Sequence, residues 1–468
     1  MKALIFNFIS FGLAVCLERL ISFLLIPLYA NVFSVEEFGV IDLIQTFMGI
    51  VSIFCFLQLE TSLQRFYYEY EGEEKGKFIF AIFFMIMCVG FILGTIIILF
   101  SPYLSQWLCD SVQYVTAFRI AAIQMFFSVL SSLILILLRF EKKNILFTIV
   151  IIGKSLLLFG TIYWFVSVAH YGVSGFFLSQ LLAISLSFFV SLYLMRRLFV
   201  FHLSKSIMKT SLHYALPQFP ARIGSATNAY ANRFFILGYL DTYHVGLFSM
   251  ALKIGSIMQL VHQTFMMAWN QYMFEILKKE NSKFQFSFIF QIIVPITFLF
   301  SMCLSLFSAE LIMNFASPKF VESAKYVGCI TMAISLLIVK EVVDVGPKYK
   351  SKTYYLSISF LSALGVNLIS SFCLVKYLGL DGIVYSMILA NLVLLTLSWI
   401  FSYRLYPIYF SRTILIISML PALLLTIFMI YVDISFYYRC LLLPCAVIYY
   451  FILIFRAILH YKRNLCLI

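Results

Sequence analysis

Charged side chains are scarce in this 468-residue sequence: Asp, Glu, Lys and Arg make up 11% of it, while 63% is hydrophobic. Soluble domains carry about a quarter of their residues charged, so an ordinary soluble fold is excluded. Cysteine occurs ten times, yet no C-x-x-C is formed. Cys16, Cys55, Cys88, Cys303, Cys329 and Cys373 fall inside apolar stretches, and Cys109 alone reads as lying in an outside loop. This pattern excludes a disulfide framework and a thiolate metal site, leaving cysteine as a small packing residue. The six histidines, His170, His202, His213, His244, His262 and His460, lack ligand spacing, so neither a metal nor another cofactor is expected. The nearest approach to a phosphate loop, Gly72-Glu73-Glu74-Lys75-Gly76-Lys77, is one residue short and has no Ser or Thr after the lysine. Without a nucleotide-hydrolysing module, uphill work must draw on an ion gradient, the membrane potential or a downstream sink. A cleaved secretory signal is not expected either. The first apolar run is too long, carries Glu18-Arg19 and lacks an A-x-A exit.

What fills the chain instead is a succession of apolar stretches, each about the 20 residues needed to cross some 30 Å of hydrocarbon. They read as spans at 3–30, 38–60, 78–100, 115–138, 145–168, 173–195, 213–240, 245–270, 285–308, 323–345, 354–375, 380–402, 413–431 and 437–458. The expected fold is an all-α polytopic membrane protein of about 14 transmembrane helices. The net charge of +13 does not point to nucleic acid, because the basic residues alternate between connections. One set of connections holds Arg65, Lys75 and Lys77, then Arg139, Lys142 and Lys143, Arg196 and Arg197, Lys205 and Lys209, Lys278, Lys279 and Lys283, Lys348, Lys350 and Lys352, Arg404 and Arg412, and Arg456, Lys462 and Arg463. The other set holds only Lys319 and Lys376. That asymmetry puts the basic set and both termini in the cytoplasm, with contact to anionic headgroups as a by-product.

Shifted by 207 positions, the chain matches itself at three junctions. Phe38-Gly39 falls on Val245-Gly246, and Leu99-Phe100-Ser101 with Leu104 falls on Leu306-Phe307-Ser308 with Leu311. Gly172, Gly175, Ser179 and Ala183 fall on Gly379, Gly382, Ser386 and Ala390. The shift carries the first span onto the seventh, an even step, so the copies share orientation and form a parallel repeat. The expected organisation is an N-lobe of six spans (1–200), a C-lobe of six spans (201–408) and an added pair (409–468). Two like bundles flanking a central cleft suit alternating access.

Ionised groups within spans require a wet cavity or a partner, since burying them in lipid costs several kcal/mol. Near mid-membrane by residue count are Arg19, Lys154, Arg222, Arg233 and Lys253. Arg119, Lys325, Lys340 and Arg439 lie nearer span ends and are expected to snorkel to an interface. Glu18 and Asp42 are the acids within the core, with Glu60, Glu341 and Asp344 at the inner edge. A net cationic interior favours an anionic substrate. Arg19, Arg222, Arg233, Lys154 and Lys253 are therefore the candidate substrate-binding cations, against the alternative of structural salt bridges between helices. Glu18 and Asp42 are the candidate coupling carboxylates. Proline at Pro27, Pro217, Pro220 and Pro295 bends helices and frees carbonyls, which suits moving lobes.

Several stretches resemble the polysaccharide flippases of the multidrug/oligosaccharidyl-lipid/polysaccharide (MOP) exporter superfamily. They are Ser22-Phe23-Leu24-Leu25-Ile26-Pro27-Leu28-Tyr29 with Ser34-Val35-Glu36-Glu37-Phe38-Gly39, then Pro217-Gln218-Phe219-Pro220, Asn232-Arg233-Phe234-Phe235-Ile236-Leu237 and Val245-Gly246-Leu247-Phe248-Ser249. The resemblance implies a MATE-like two-lobed fold and translocation of undecaprenyl-pyrophosphate-linked oligosaccharide repeat units, for O-antigen, capsule or exopolysaccharide, across a bacterial cytoplasmic membrane. It implies a cationic cavity, membrane lipids and a polysaccharide polymerase with chain-length machinery as partners, and no enzymatic step. The family often has Asp immediately before the arginine matching Arg233, where this chain has Asn232. That departure removes the expected local carboxylate. The alternatives are a lipid II flippase, a drug/cation antiporter, which would favour an acidic cavity, and a membrane glycosyltransferase or polymerase, disfavoured by short outside loops.

Overall fold

The computed structural model describes residues 17–465 apart from Arg19, Lys278, Ser351, Thr353 and Asp433. It divides into two compact units, Met1–Arg233 and Phe234–Ile468. The first contains α1 (Ile26–Val32), α2 (Val35–Phe56), α3 (Leu59–Phe66), α4 (Gly72–Cys109), α5 (Val115–Phe140), α6 (Asn144–Ile162), α7 (Gly172–Met195), α8 (Lys205–Ala215) and most of α9 (Phe219–Tyr239). The second contains α10 (Thr242–Ile276), α11 (Ser282–Leu306), α12 (Ser308–Phe315), α13 (Ala324–Val343), α14 (Val345–Tyr349), α15 (Tyr354–Leu378), α16 (Leu380–Leu405), α17 (Arg412–Tyr431) and α18 (Phe436–Leu465). Among the described residues there is no strand, as expected where every backbone group must be satisfied within its own segment.

Twelve helical segments among the described residues are long and apolar enough to cross a bilayer. Each coincides with one of the expected spans. The first expected span survives as the shorter apolar segment Leu20–Val32, its beginning lying outside the described residues. The seventh is α9, long enough at 21 residues but less apolar because it carries Arg222, Asn228, Asn232 and Arg233. The all-helical, many-span architecture expected from the sequence is thus what the described residues adopt. Boundaries differ locally. The second span stops at Phe56 rather than 60, because Leu57 and Gln58 take left-handed conformations (φ 46° and 61°) that end a helix of L-residues. The third runs much further than expected. At 1.5 Å per residue, α4 is roughly 57 Å long, and Cys109 is its buried last residue rather than part of a loop.

The internal repeat is visible in atomic detail. Ser34 caps α2 by accepting from the Glu37 amide at 3.1 Å, with Glu37 reaching back in a capping box. Asp241, 207 positions on, caps α10 by accepting from the His244 amide at 2.9 Å. Gly172 and Gly379 both adopt positive φ, +55° and +58°, at the turns into α7 and α16. A residue with a Cβ would be strained there. Ser179 donates to the Gly175 carbonyl and Ser386 to the Gly382 carbonyl. Ser101 donates to Ile98 and Ser308 to Ser305, again one repeat apart. The neighbours repeat as well. In the first unit α2 packs on α4 and α5, α4 on α5, and α7 on α5 and α6; in the second, α10 packs on α11 and α13, α11 on α13, and α16 on α13 and α15.

Burial shows where the copies diverge. In their most apolar stretches, α2 and α10 are equally buried (56% of residues), as are α6 and α15 (28%) and α7 and α16 (44%). But α4 is 33% buried where α11 is 56%, and α5 is 56% where α13 is 72%. The extra helices explain both differences, because α17 packs on α11 and α13 and α18 on α11. Tyr450 of α18 donates to the Ser418 carbonyl of α17 at 2.7 Å, closing the pair.

Candidate intramembrane charge site

In the first unit, α2 and α9 meet through side chains, and three contacts whose order runs antiparallel fix the register. Phe219 meets Phe54 edge-on at 5.5 Å between ring centroids. Tyr230 packs over Gly49, where a Cβ would stand 2.8 Å from the Tyr230 hydroxyl. Arg233 forms an ion pair from Nε to Asp42 Oδ2. Tyr230 and Arg233 are three apart on one helical face, and Asp42 and Gly49 are two turns apart on the other, so the register presents both pairs together. The two charged side chains are 14% and 13% exposed, and Arg233 Nη1 also donates to the Ala229 carbonyl at 3.1 Å. The carboxylate absent at Asn232 is therefore supplied by α2.

A second pair lies on the same unit. Lys154 Nζ of α6 stands 2.6 Å from Glu18 Oε1, with the side chains 22% and 30% exposed. Of the five expected cations, two are thus joined to the two expected carboxylates. Arg222 is exposed in the first turn of α9, and its positive charge reaches Glu60 of α3. Burial pushes the Glu60 carboxyl above the usual glutamate range, with Arg222 acting in the opposite direction. Lys253, half-buried on α10, belongs to the second unit. Arg19 lies outside the described residues. The arrangement brings Lys154, Arg222 and Arg233 onto one unit, two of them half-committed to carboxylates and one open.

Two of the cations expected to snorkel do something else. Lys340 Nζ sits between Glu341 Oε1 at 3.1 Å and Asp344 Oδ2 at 2.9 Å, and Lys348 reaches Glu341 Oε2 at 3.0 Å. Trp269 Nε1 donates to the Glu341 carbonyl at 3.0 Å, tying α10 to this network. Arg439, 9% exposed, pairs through Nη2 with Glu310 Oε1 at 2.8 Å and donates through Nη1 to the Leu306 carbonyl at 3.0 Å. In both places acids from a neighbouring turn or helix remove the reason to reach for water. Sequence reading also missed Tyr67, which donates to Glu141, while Lys75 Nζ lies 2.9 Å from Glu141 and 3.9 Å over the Tyr67 ring. Burial alone would raise the Glu141 carboxyl. The hydrogen bonds from Tyr67 and Lys75 and the charges of Lys75 and Lys143 outweigh it and hold the group below the usual range. Only the cluster of charged and aromatic residues near the expected span ends hinted at this network.

A family model described as polysaccharide biosynthesis protein matches residues 4–277. No curated protein matches the chain. Among solved structures, the lipid II flippase MurJ in an inward closed conformation superposes with a TM-score of 0.74 at 14% identity, covering 98% of this chain and 100% of that one. An inward-facing multidrug resistance MATE family transporter of the MOP superfamily gives a TM-score of 0.60 at 15% identity, over 85% of this chain and 97% of its own. A MATE transporter from Vibrio cholerae gives 0.52 at 11% identity, over 86% and 94%. At these identities the likeness is one of fold.

Proposed function

The chain belongs to the polysaccharide biosynthesis protein family, and on that premise we propose that it is a flippase. Its cargo is an oligosaccharide repeat unit on undecaprenyl pyrophosphate, carried from the cytoplasmic to the periplasmic leaflet of a bacterial cytoplasmic membrane. The observation that carries this reading is the set of cations Lys154, Arg222 and Arg233 on one unit, of which Lys154 and Arg233 pair with Glu18 and Asp42 while Arg222 stays exposed with Glu60 within electrostatic reach. A glycan moved through hydrocarbon would leave many hydrogen-bonding groups unsatisfied, each costing about 2 kcal/mol or more. A hydrated wall bearing fixed positive charge removes that barrier and attracts the pyrophosphate. Arg222 is open to meet the anion first. The pyrophosphate then competes with Glu18 for Lys154 and with Asp42 for Arg233, and a displaced carboxylate can take up a proton. Charge exchange of this kind links cargo binding to a proton gradient without a nucleotide. Lys253 on its own unit and Arg19 carry the same assignment toward the anionic headgroup. Both termini are assigned to the cytoplasm, and a polymerase acting on the outer face is the assigned consumer of the product.

A drug/cation antiporter is the weaker reading, since cationic cargo would be repelled by Arg222. A lipid II flippase shares the same chemistry at the pyrophosphate and differs only in the sugar. A deletion strain separates these from a polymerase: loss of the flippase leaves complete single repeat units facing the cytoplasm. A strain that exports single units and lacks only long chains would refute the assignment. In reconstituted vesicles, Arg222→Ala should abolish flipping of the lipid-linked glycan while leaving membrane insertion intact, and normal flipping would remove Arg222 from the site.

A further inference from the structure

The second unit holds a cavity of about 430 Å³ where α12 and the segment Pro318–Lys325 meet the ends of α17 and α18. It lies at the end of the unit remote from the basic connections at Lys279, Lys348 and Arg412. Its walls combine Lys325, Arg439 and Glu322 with Met313, Met429 and Val432. Basic residues are disfavoured at this end of a membrane protein, so two of them on one cavity call for a reason. The Arg439 guanidinium is anchored by Glu310 and the Leu306 carbonyl, while its buried Nε–H has no hydrogen-bond partner among the described residues. Buried donors without partners are uncommon and usually mark a missing ligand or water. Lys325 and Glu322 are exposed into the opening, and Tyr243 donates to Glu322 Oε2 at 3.0 Å, orienting that carboxylate.

The charges set the ligand's chemistry. A purely anionic headgroup would face Glu322, with Glu310 behind Arg439 and Asp381 within electrostatic reach of Lys325. A purely cationic one would face Lys325 and Arg439. A volume in this range suits a small ligand, and Met313, Met429 and Val432 give it an apolar wall of which Met313 and Val432 are themselves exposed at the surface. We propose that this cavity binds the headgroup of an amine-bearing zwitterionic phospholipid, with Lys325 and Arg439 holding the phosphate and Glu322 accepting hydrogen bonds from the ammonium. The lipid wedges between the second unit's core and its two added helices.

The test is lipid titration of the purified full chain, followed by native mass spectrometry with phosphatidylethanolamine, phosphatidylcholine, phosphatidylglycerol and undecaprenyl phosphate as separate probes. Phosphatidylethanolamine should bind tightest, because its ammonium retains N–H donors for Glu322 and the choline headgroup has none. Lys325→Ala should weaken it about tenfold, the loss of one charge-assisted contact. Glu322→Gln should abolish the preference over phosphatidylglycerol. Both positions are exposed, so the variants keep the fold, which the elution volume in size exclusion verifies; Lys376→Ala, outside the cavity, should bind as wild type. Equal or tighter binding of phosphatidylglycerol or undecaprenyl phosphate, or wild-type binding by both cavity variants, would overturn the proposal.

Discussion

Replacing Asp42 by Asn should take the carboxylate away from the Arg233 guanidinium in a setting where only about one seventh of that side chain meets solvent. At a separation of about 4 Å and an effective dielectric near 20, two opposite charges attract by about 4 kcal/mol. Removing one member of a buried pair typically destabilises by about 3–5 kcal/mol. The low exposure of both side chains argues against heavy screening, so about 3 kcal/mol is the expected loss for Asp42→Asn. Arg233→Met, which removes the other member of the same pair, should likewise destabilise, by about 2–3 kcal/mol. The double variant removes both charges and should return to within about 1 kcal/mol of wild type. A double-mutant cycle on the purified protein, following the folded fraction through thermal or detergent denaturation, reads the coupling directly. Strictly additive single effects, with coupling under about 0.5 kcal/mol, would refute the ion pair as a stabilising contact. The same three proteins report on transport. The stable double variant should still fail to flip the lipid-linked glycan, because the cation is gone. If it transports normally, Arg233 serves the fold alone.

Two further outcomes follow from contacts away from that pair. Glu141 is held ionised below the usual glutamate range, so its contribution to stability is present above about pH 4.3 and disappears as pH falls below it. Tyr67→Phe removes one of the hydrogen bonds holding it there and should shift the acid limb of a stability-against-pH curve upward; an unmoved limb would show that Tyr67 does not hold the charge. Gly346 donates its amide to Ser402 Oγ at 2.9 Å, and a Cβ there would collide with the Ser402 backbone. Gly346→Ala should therefore destabilise by about 1–3 kcal/mol, seen as a lower melting temperature, whereas Gly365→Ala, with open space around it, should leave that temperature unchanged.

Much of the architecture was legible because lipid imposes a simple rule on composition. Among the described residues each expected span found a helix, and the 207-residue offset paired Gly172 with Gly379, where a turn restricts residue choice, while the matching caps at Ser34 and Asp241 emerged only from the structure. Span ends were less legible. Leu57 and Gln58 are not turn residues by type, so residue identity gives no sign of their left-handed backbone. The pairings were hidden for a different reason. Arg233 and Asp42 are 191 positions apart in sequence, and helical periodicity says which face a charge occupies but not which helix faces it. The cationic residues were found by asking what ionised groups do within spans; Asp42 emerged as the partner of Arg233 only with the register of α2 against α9, and Glu18 as the partner of Lys154 only from their contact across 136 positions.

The unequal coverage of α4 and α11 has a bearing on how this protein could be rebuilt. A gene duplication leaves two halves interchangeable only while each keeps the same surroundings. With α17 and α18 packed on α11, its outward side chains have to fit protein, whereas those of the less buried α4 do not. Chimeras that exchange the halves should therefore fail at the sheathed side first, and a transplanted α4 would need the contact surface of α11 before it could take that place.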